Sequence, residues 1–161
     1  MINLNIKNVF QLIFLISLFA LISAYFIEYI LGHQPCNLCL IERIPYIGAL
    51  FIVIINLKLN RLEKYSILLL IFIFLAGTLI SLYHLGIEQG LIVESFVCDL
   101  ENGSKVLSKE EILKQLQQKN VSCKDVTFRI YGLSLTTFNI IISSLITIVL
   151  VKIFFEYDKN N

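Results

Sequence analysis

Apolar residues fall in long blocks along this chain, and charged residues collect between the blocks. The stretch from Val9 to Leu31 carries one charge, Glu28, close to its end. Leu38 to Leu57 has Glu42 and Arg43 near its start and no charge afterwards. Tyr65 to Ile87 has none, with His84 near its end, and Ile130 to Val151 has none at all. Each block has about 20 residues or more, which at a rise of about 1.5 Å spans roughly 30 Å of hydrocarbon. The pattern predicts an all-α integral membrane four-helix bundle, a single membrane domain with spans at about 9–31, 38–57, 65–87 and 130–151. A strand-built barrel would show alternation with a period of two, which is absent. The first block has a longer apolar core than a signal peptide and only Lys7 before it, so it is expected to be a retained helix.

Composition sharpens this picture. Of 161 residues, 57% are hydrophobic and 16% charged, with a mean hydropathy of +0.81, which sets the chain apart from soluble domains. A net charge of +1 gives no reason to expect nucleic acid as a partner; the lipid bilayer is the expected surroundings. Lys58, Arg61 and Lys64 crowd the second connection against one acid, Glu63, and Lys7, Lys152 and Lys159 fall on the same side. The positive-inside rule makes that side the cytoplasm, with both termini. Span parity then places Cys36, Cys39, Cys98 and Cys123, all the cysteines of the chain, together on the opposite, periplasmic face. Disulfides form and persist there.

The first pair sits in His33-Gln34-Pro35-Cys36-Asn37-Leu38-Cys39, just where the second span begins. Two cysteines separated by two residues at a helix start can close a small disulfide, and the helix dipole there favours a thiolate. Cys36, Cys39 and Arg43, at i, i+3 and i+7, share one helical face, so Arg43 lies about one turn from Cys39. It is placed to hold a thiolate or a polar group of a ligand. Glu42 is expected to face the interface or another helix, and Glu28 to be solvated at the interface. The second pair lies in the 88–129 loop, which is expected to carry an amphipathic helix from about Ser108 to Lys119, started by a Ser108/Glu111 capping box. A Cys98–Cys123 bridge would close about 26 residues and contribute about 3.5 kcal/mol in the chain-entropy model. Three readings stay open on spacing alone: a structural staple, a four-thiolate zinc site, and a thiol–disulfide relay between a fixed and a mobile pair.

Pro35-Cys36-Asn37-Leu38-Cys39 with Glu42-Arg43 and Tyr46, Tyr83-His84-Leu85-Gly86-Ile87-Glu88, and Ser122-Cys123 with Tyr131-Gly132-Leu133-Ser134 resemble the DsbB family of membrane thiol oxidases. The resemblance covers nearly the whole chain. It implies a bacterial inner-membrane, quinone-dependent protein-disulfide oxidoreductase with no metal. Such an enzyme reoxidises a DsbA-like, thioredoxin-fold periplasmic oxidase and passes the electrons to a membrane quinone, ubiquinone or menaquinone. Carried over by position, Cys98 forms the mixed disulfide with the partner and Cys123 attacks the Cys36–Cys39 bridge at Cys36. Cys39 is then released against the quinone, with Arg43 and His84 as quinone-binding residues.

Overall fold

The computed structural model describes residues 6–59, 63–93, 98, 123–124, 128–130 and 132–160. Its helices are α1 (Ile6–Tyr29), α2 (Asn37–Ile41), α3 (Ile44–Leu59), α4 (Glu63–Glu88) and α5 (Leu135–Asn160). Two-residue strands β1 (Arg129–Ile130) and β2 (Leu133–Ser134) form a small antiparallel hairpin ahead of α5. Four stretches are long and apolar enough to cross a membrane, namely Ile6–Tyr29, Asn37–Lys58, Glu63–Glu88 and Leu135–Tyr157. The class is therefore all-α, a four-helix membrane bundle. The helix expected over Ser108 to Lys119 lies outside the described residues.

Helical spacing explains what faces inward. Tyr46, Ala49 and Val53 on α3, Ile67, Leu70 and Phe74 on α4, and Ile146, Leu150 and Ile153 on α5 are all buried. Each set keeps steps of three and four residues and so lines one stripe. Val9, Phe10, Ile13 and Leu21 of α1 complete the core. The opposite faces are just as apolar: Phe19, Phe51, Phe72 and Ile148 are each more than 60% exposed, which suits lipid rather than water.

Local chemistry sets the interruptions at the cysteine end. Gly32 takes a positive φ of 73° after α1, and the His33 amide reaches back to the Ile27 carbonyl (3.2 Å), closing the helix and releasing the linker to Cys36. Pro45 has no amide hydrogen for the carbonyl four residues before it, so the second span breaks at Glu42 and Arg43. The Arg43 amide there takes the tighter bond to the Leu40 carbonyl, at 3.2 Å. The apolar run from Ile130 is not helical from its start, because Gly132 (φ 84°) turns the chain between β1 and β2. Ser134 then accepts the Thr137 amide at 3.4 Å, which starts α5 at Leu135.

The Pro45 ring rests on α4 where Gly77 leaves room: a Cβ at Gly77 would lie 2.9 Å from the Pro45 Cγ. A rigid ring cannot swing aside, so Gly77→Val is expected to destabilise the bundle by about 1–3 kcal/mol. At Gly48 the nearest atom to an added Cβ is the Ile73 side chain at 3.5 Å, and Gly48→Ala should be neutral or stabilising. Thermal unfolding of both variants in detergent checks the contrast; equal melting temperatures would reject the Pro45–Gly77 seat.

Candidate active site

The ends of α1 and α4 and the starts of α2 and α5 meet at one end of the bundle, and the cysteines gather there. Cys36, Leu38, Ile87 and Cys123 form a buried cluster, with Cys39, Tyr83 and Cys98 packed against it. Cys98 and Cys123 are disulfide-bonded with their Cα atoms 5.9 Å apart, and the Asn37 amide group donates to the Cys98 carbonyl at 3.4 Å. The loop pair thus lies on the CxxC segment. Two of the sulfurs that a four-thiolate zinc site would use are here bonded to each other.

Cys36 caps the short helix α2. Its sulfur lies 2.6 Å from the Cys39 sulfur and accepts the Cys39 amide at 3.3 Å. The side-chain hydrogen bond from Cys39 is the main reason the Cys36 thiol is pulled down to about 5, with His84 adding to the effect against the opposing cost of burial. In the dithiol form Cys36 is therefore a thiolate above about pH 5 and loses that charge as the pH falls through this value.

A chain of polar side chains leads away from Cys36 between α4 and α5. His84 Nε2 is 3.5 Å from the Cys36 sulfur, and His84 Nδ1 is 2.8 Å from Glu42 Oε1 and 3.2 Å from the Thr136 hydroxyl. Thr136 donates its own hydrogen to Glu88 Oε1 at 2.6 Å, so its oxygen faces the ring as an acceptor. Two acceptors at Nδ1 fix a proton on that nitrogen, so Nε2 is free to take up the Cys36 proton and then donate it back as a hydrogen bond to the thiolate. Glu42 Oε2 takes a hydrogen bond from Asn139 Nδ2 at 3.2 Å, and Asn139 also donates to Ser81 at 2.7 Å. The Tyr46 hydroxyl donates to Asn139 Oδ1 and contacts Ser143 at 3.3 Å.

On the other side of the broken helix lies a cavity of about 710 Å³ between α1, the α2–α3 break and α5. Its walls are mostly apolar, with Leu15, Phe19, Ile27 and Ile142 among them, and its polar groups are few: Ser23, Cys39, Glu42, Arg43, Tyr46, Thr136 and Asn139 with the linker residues His33 and Gln34. Size, apolar walls and convergent polar groups are what a small organic cofactor needs. Arg43 at this wall is held by an ion pair to Glu28 at 2.6 Å and stands over the Tyr25 ring at 4.9 Å.

The structure thus places the sequence-predicted residues in two groups. Cys39 and Arg43 both border the cavity. His84, expected beside the quinone, is not among the cavity-lining residues and instead touches Cys36. Sequence reasoning missed Glu42, Glu28, Thr136 and Asn139 as parts of the site. Glu28 pairs with Arg43 rather than standing solvated, and Glu42, 8% exposed, is bound by His84 and Asn139. The available signal was an asparagine and a threonine within an otherwise apolar span, since such groups need partners in hydrocarbon.

A profile of the disulfide bond formation protein DsbB family matches residues 6–153. An uncharacterized protein of Rickettsia prowazekii is 32% identical over 148 residues, 91% of this chain and 86% of its own. Disulfide bond formation protein B of Cupriavidus necator is 24% identical over 157 residues, 97% of each chain. The Haemophilus influenzae protein of the same name is 25% identical over 131 residues, 80% of this chain and 74% of its own. Membrane spans, paired cysteines and the family match agree: the chain belongs to the DsbB family of multi-pass membrane disulfide oxidoreductases.

Proposed function

We propose that the protein reoxidises a DsbA-like, thioredoxin-fold periplasmic partner and passes the electrons through two cysteine pairs to a membrane quinone. One observation carries this reading: the two pairs lie in one buried cluster, and Cys39 of that cluster borders an apolar cavity within the bundle. A staple would need no second pair beside it and no cavity. The charge bias of the connections supports a periplasmic position for the cluster, with both termini in the cytoplasm.

The exchange steps balance as follows. A thiolate of the reduced partner attacks Cys98, and Cys123 leaves with the electron pair. The partner's second thiol displaces Cys98 and closes the partner's disulfide. Cys123 attacks Cys36, and Cys39 leaves as a thiolate at the cavity wall; Cys98 then attacks Cys123, which restores the loop disulfide and releases Cys36 as the second thiol of the reduced pair. The held-down Cys36 thiol makes the reduced form of the CxxC pair more favourable, which suits a pair that must accept electrons. The residues fit a quinone: apolar walls would receive its ring and tail, and Arg43 would offer donors to its oxygens. When bound, it supplies an acceptor for two electrons and two protons.

Two experiments follow. Cys123→Ser, given the oxidised form of a DsbA-like protein from outside spheroplasts, should capture it through Cys98 as a covalent complex on non-reducing gels. Cys98→Ser should capture none. Equal behaviour of the two variants would restore the staple, and capture only after the membrane is breached would reverse the topology. Secondly, alkylation of Cys36 in the reduced protein should vary less than about threefold between about pH 6.5 and 8.5, because the nucleophilic thiolate is already formed. Mass spectrometry of the Cys36 peptide reads this directly. A rise approaching tenfold per pH unit would show an ordinary thiol.

A further inference from the structure

Glu42 and His84 are costly where they stand. A carboxylate 8% exposed and an imidazole 2% exposed lie at the head of a membrane bundle, where ionisable groups are kept only when paired and used. Mutual satisfaction alone would be met by any closed pair. This pair is open at both ends: His84 Nε2 faces the Cys36 sulfur, and Glu42 borders the cavity beside Cys39.

We propose that Cys36, His84 and Glu42 form a proton path that carries the Cys36 proton to the cavity, a role for this chain's residues that rests on the quinone reading above. Restoring the Cys36–Cys39 disulfide from the reduced pair forms one S–S bond and releases two electrons and two protons, one from the Cys39 thiol and one that Cys36 has already passed to its neighbour. Cys39 borders the cavity and gives up its proton there directly. Cys36 has His84 as its proton acceptor at 3.5 Å. The proton that Cys36 gives up rests on His84 Nε2, facing the thiolate, and the proton already on Nδ1 moves 2.8 Å across to Glu42 Oε1. Protonated Glu42 then stands at the wall with its proton available to the bound quinone, the acceptor of both electrons and both protons.

The surroundings suit such a transfer from every side. From α4 itself Glu88 lies 3.8 Å from His84 Nε2, so the charge passing over the ring meets a carboxylate at each nitrogen. Thr136 of α5 holds the ring orientation. Asn139 of α5 orients the second oxygen of Glu42. On the α1 side Glu28 neutralises Arg43, so the cation beside the cavity is engaged and Glu42 is not locked against it.

The test uses the full-length protein in detergent. With quinone removed, the infrared difference spectrum between its reduced and oxidised forms should show a protonated-carboxyl band. That band should vanish in both Glu42→Gln and His84→Gln. With a soluble quinone added, Glu42→Gln should slow quinol formation by roughly 10–100-fold and raise the solvent deuterium isotope effect, and Glu42→Asp should recover most of the rate. Covalent capture of the oxidised partner through Cys98, in the Cys123→Ser background, reports that each variant is folded. Should Glu42→Gln fail to fold, the wild-type band and the Glu42→Asp rate still decide. Absence of a carboxyl band in the wild type, or a band that persists without Glu42, overturns the path. Wild-type protein that reduces no quinone at all would instead reject the proposed function, while the infrared result continues to report on the link from Cys36 to Glu42.

Discussion

Pro45 organises the working end of this bundle. It withholds one amide hydrogen inside a membrane helix, and the helix answers by breaking at Glu42 and Arg43. Neighbouring residues on a helix point about 100° apart, and at the break these two reach different partners. Arg43 reaches α1 and pairs with Glu28; Glu42 reaches α4 and α5 and binds His84 and Asn139. The cavity lies against the break, bordered by both side chains. Gly77 completes the arrangement by giving the proline ring a place on α4.

Hydrocarbon surroundings make the remaining choices. Apolar faces gain little from turning inward when lipid is as apolar as the core, so specificity falls to close approach and to polar groups seeking one another. The polar residues of the spans obey this. Ser81, Asn139, Tyr46 and Ser143 form one connected column below the cysteine end, and Asn56 binds Ser66 at 2.9 Å elsewhere in the bundle. Among the described residues Ser17 is the one buried side chain with an unmet polar atom. The column fixes how α3, α4 and α5 meet and thereby where Cys36 and Cys39 sit relative to the cavity.

Much of the fold was legible because apolar runs and span parity are local or additive properties. Four long helices and the grouping of four cysteines need only block lengths and an even number of crossings between the pairs. The break at Glu42 was less visible: Pro45 read as a tolerated early proline, while its consequence depends on Gly77 of another helix. Arg43 stood out as a charge near a span, but its partner Glu28 looked solvated because ion pairing across helices leaves no trace in the spacing of either residue. His84 was legible as important, but its contacts with the Cys36 sulfur and Glu42 depend on other helices and leave no trace in its own span. Gly132 and Ser134 have plain physical roles, the first turning the hairpin and the second capping α5.

Electrons entering at the loop pair are proposed to leave through the cavity beside Cys39. Anaerobic mixing of this protein with a reduced DsbA-like partner and a short-chain quinone tests this route in one measurement, by following quinone absorbance alongside partner thiol content. Each disulfide gained by the partner should consume one quinone, and Cys39→Ser should abolish quinone consumption. Partner oxidation without loss of quinone, or quinone consumption that survives Cys39→Ser, would contradict this route.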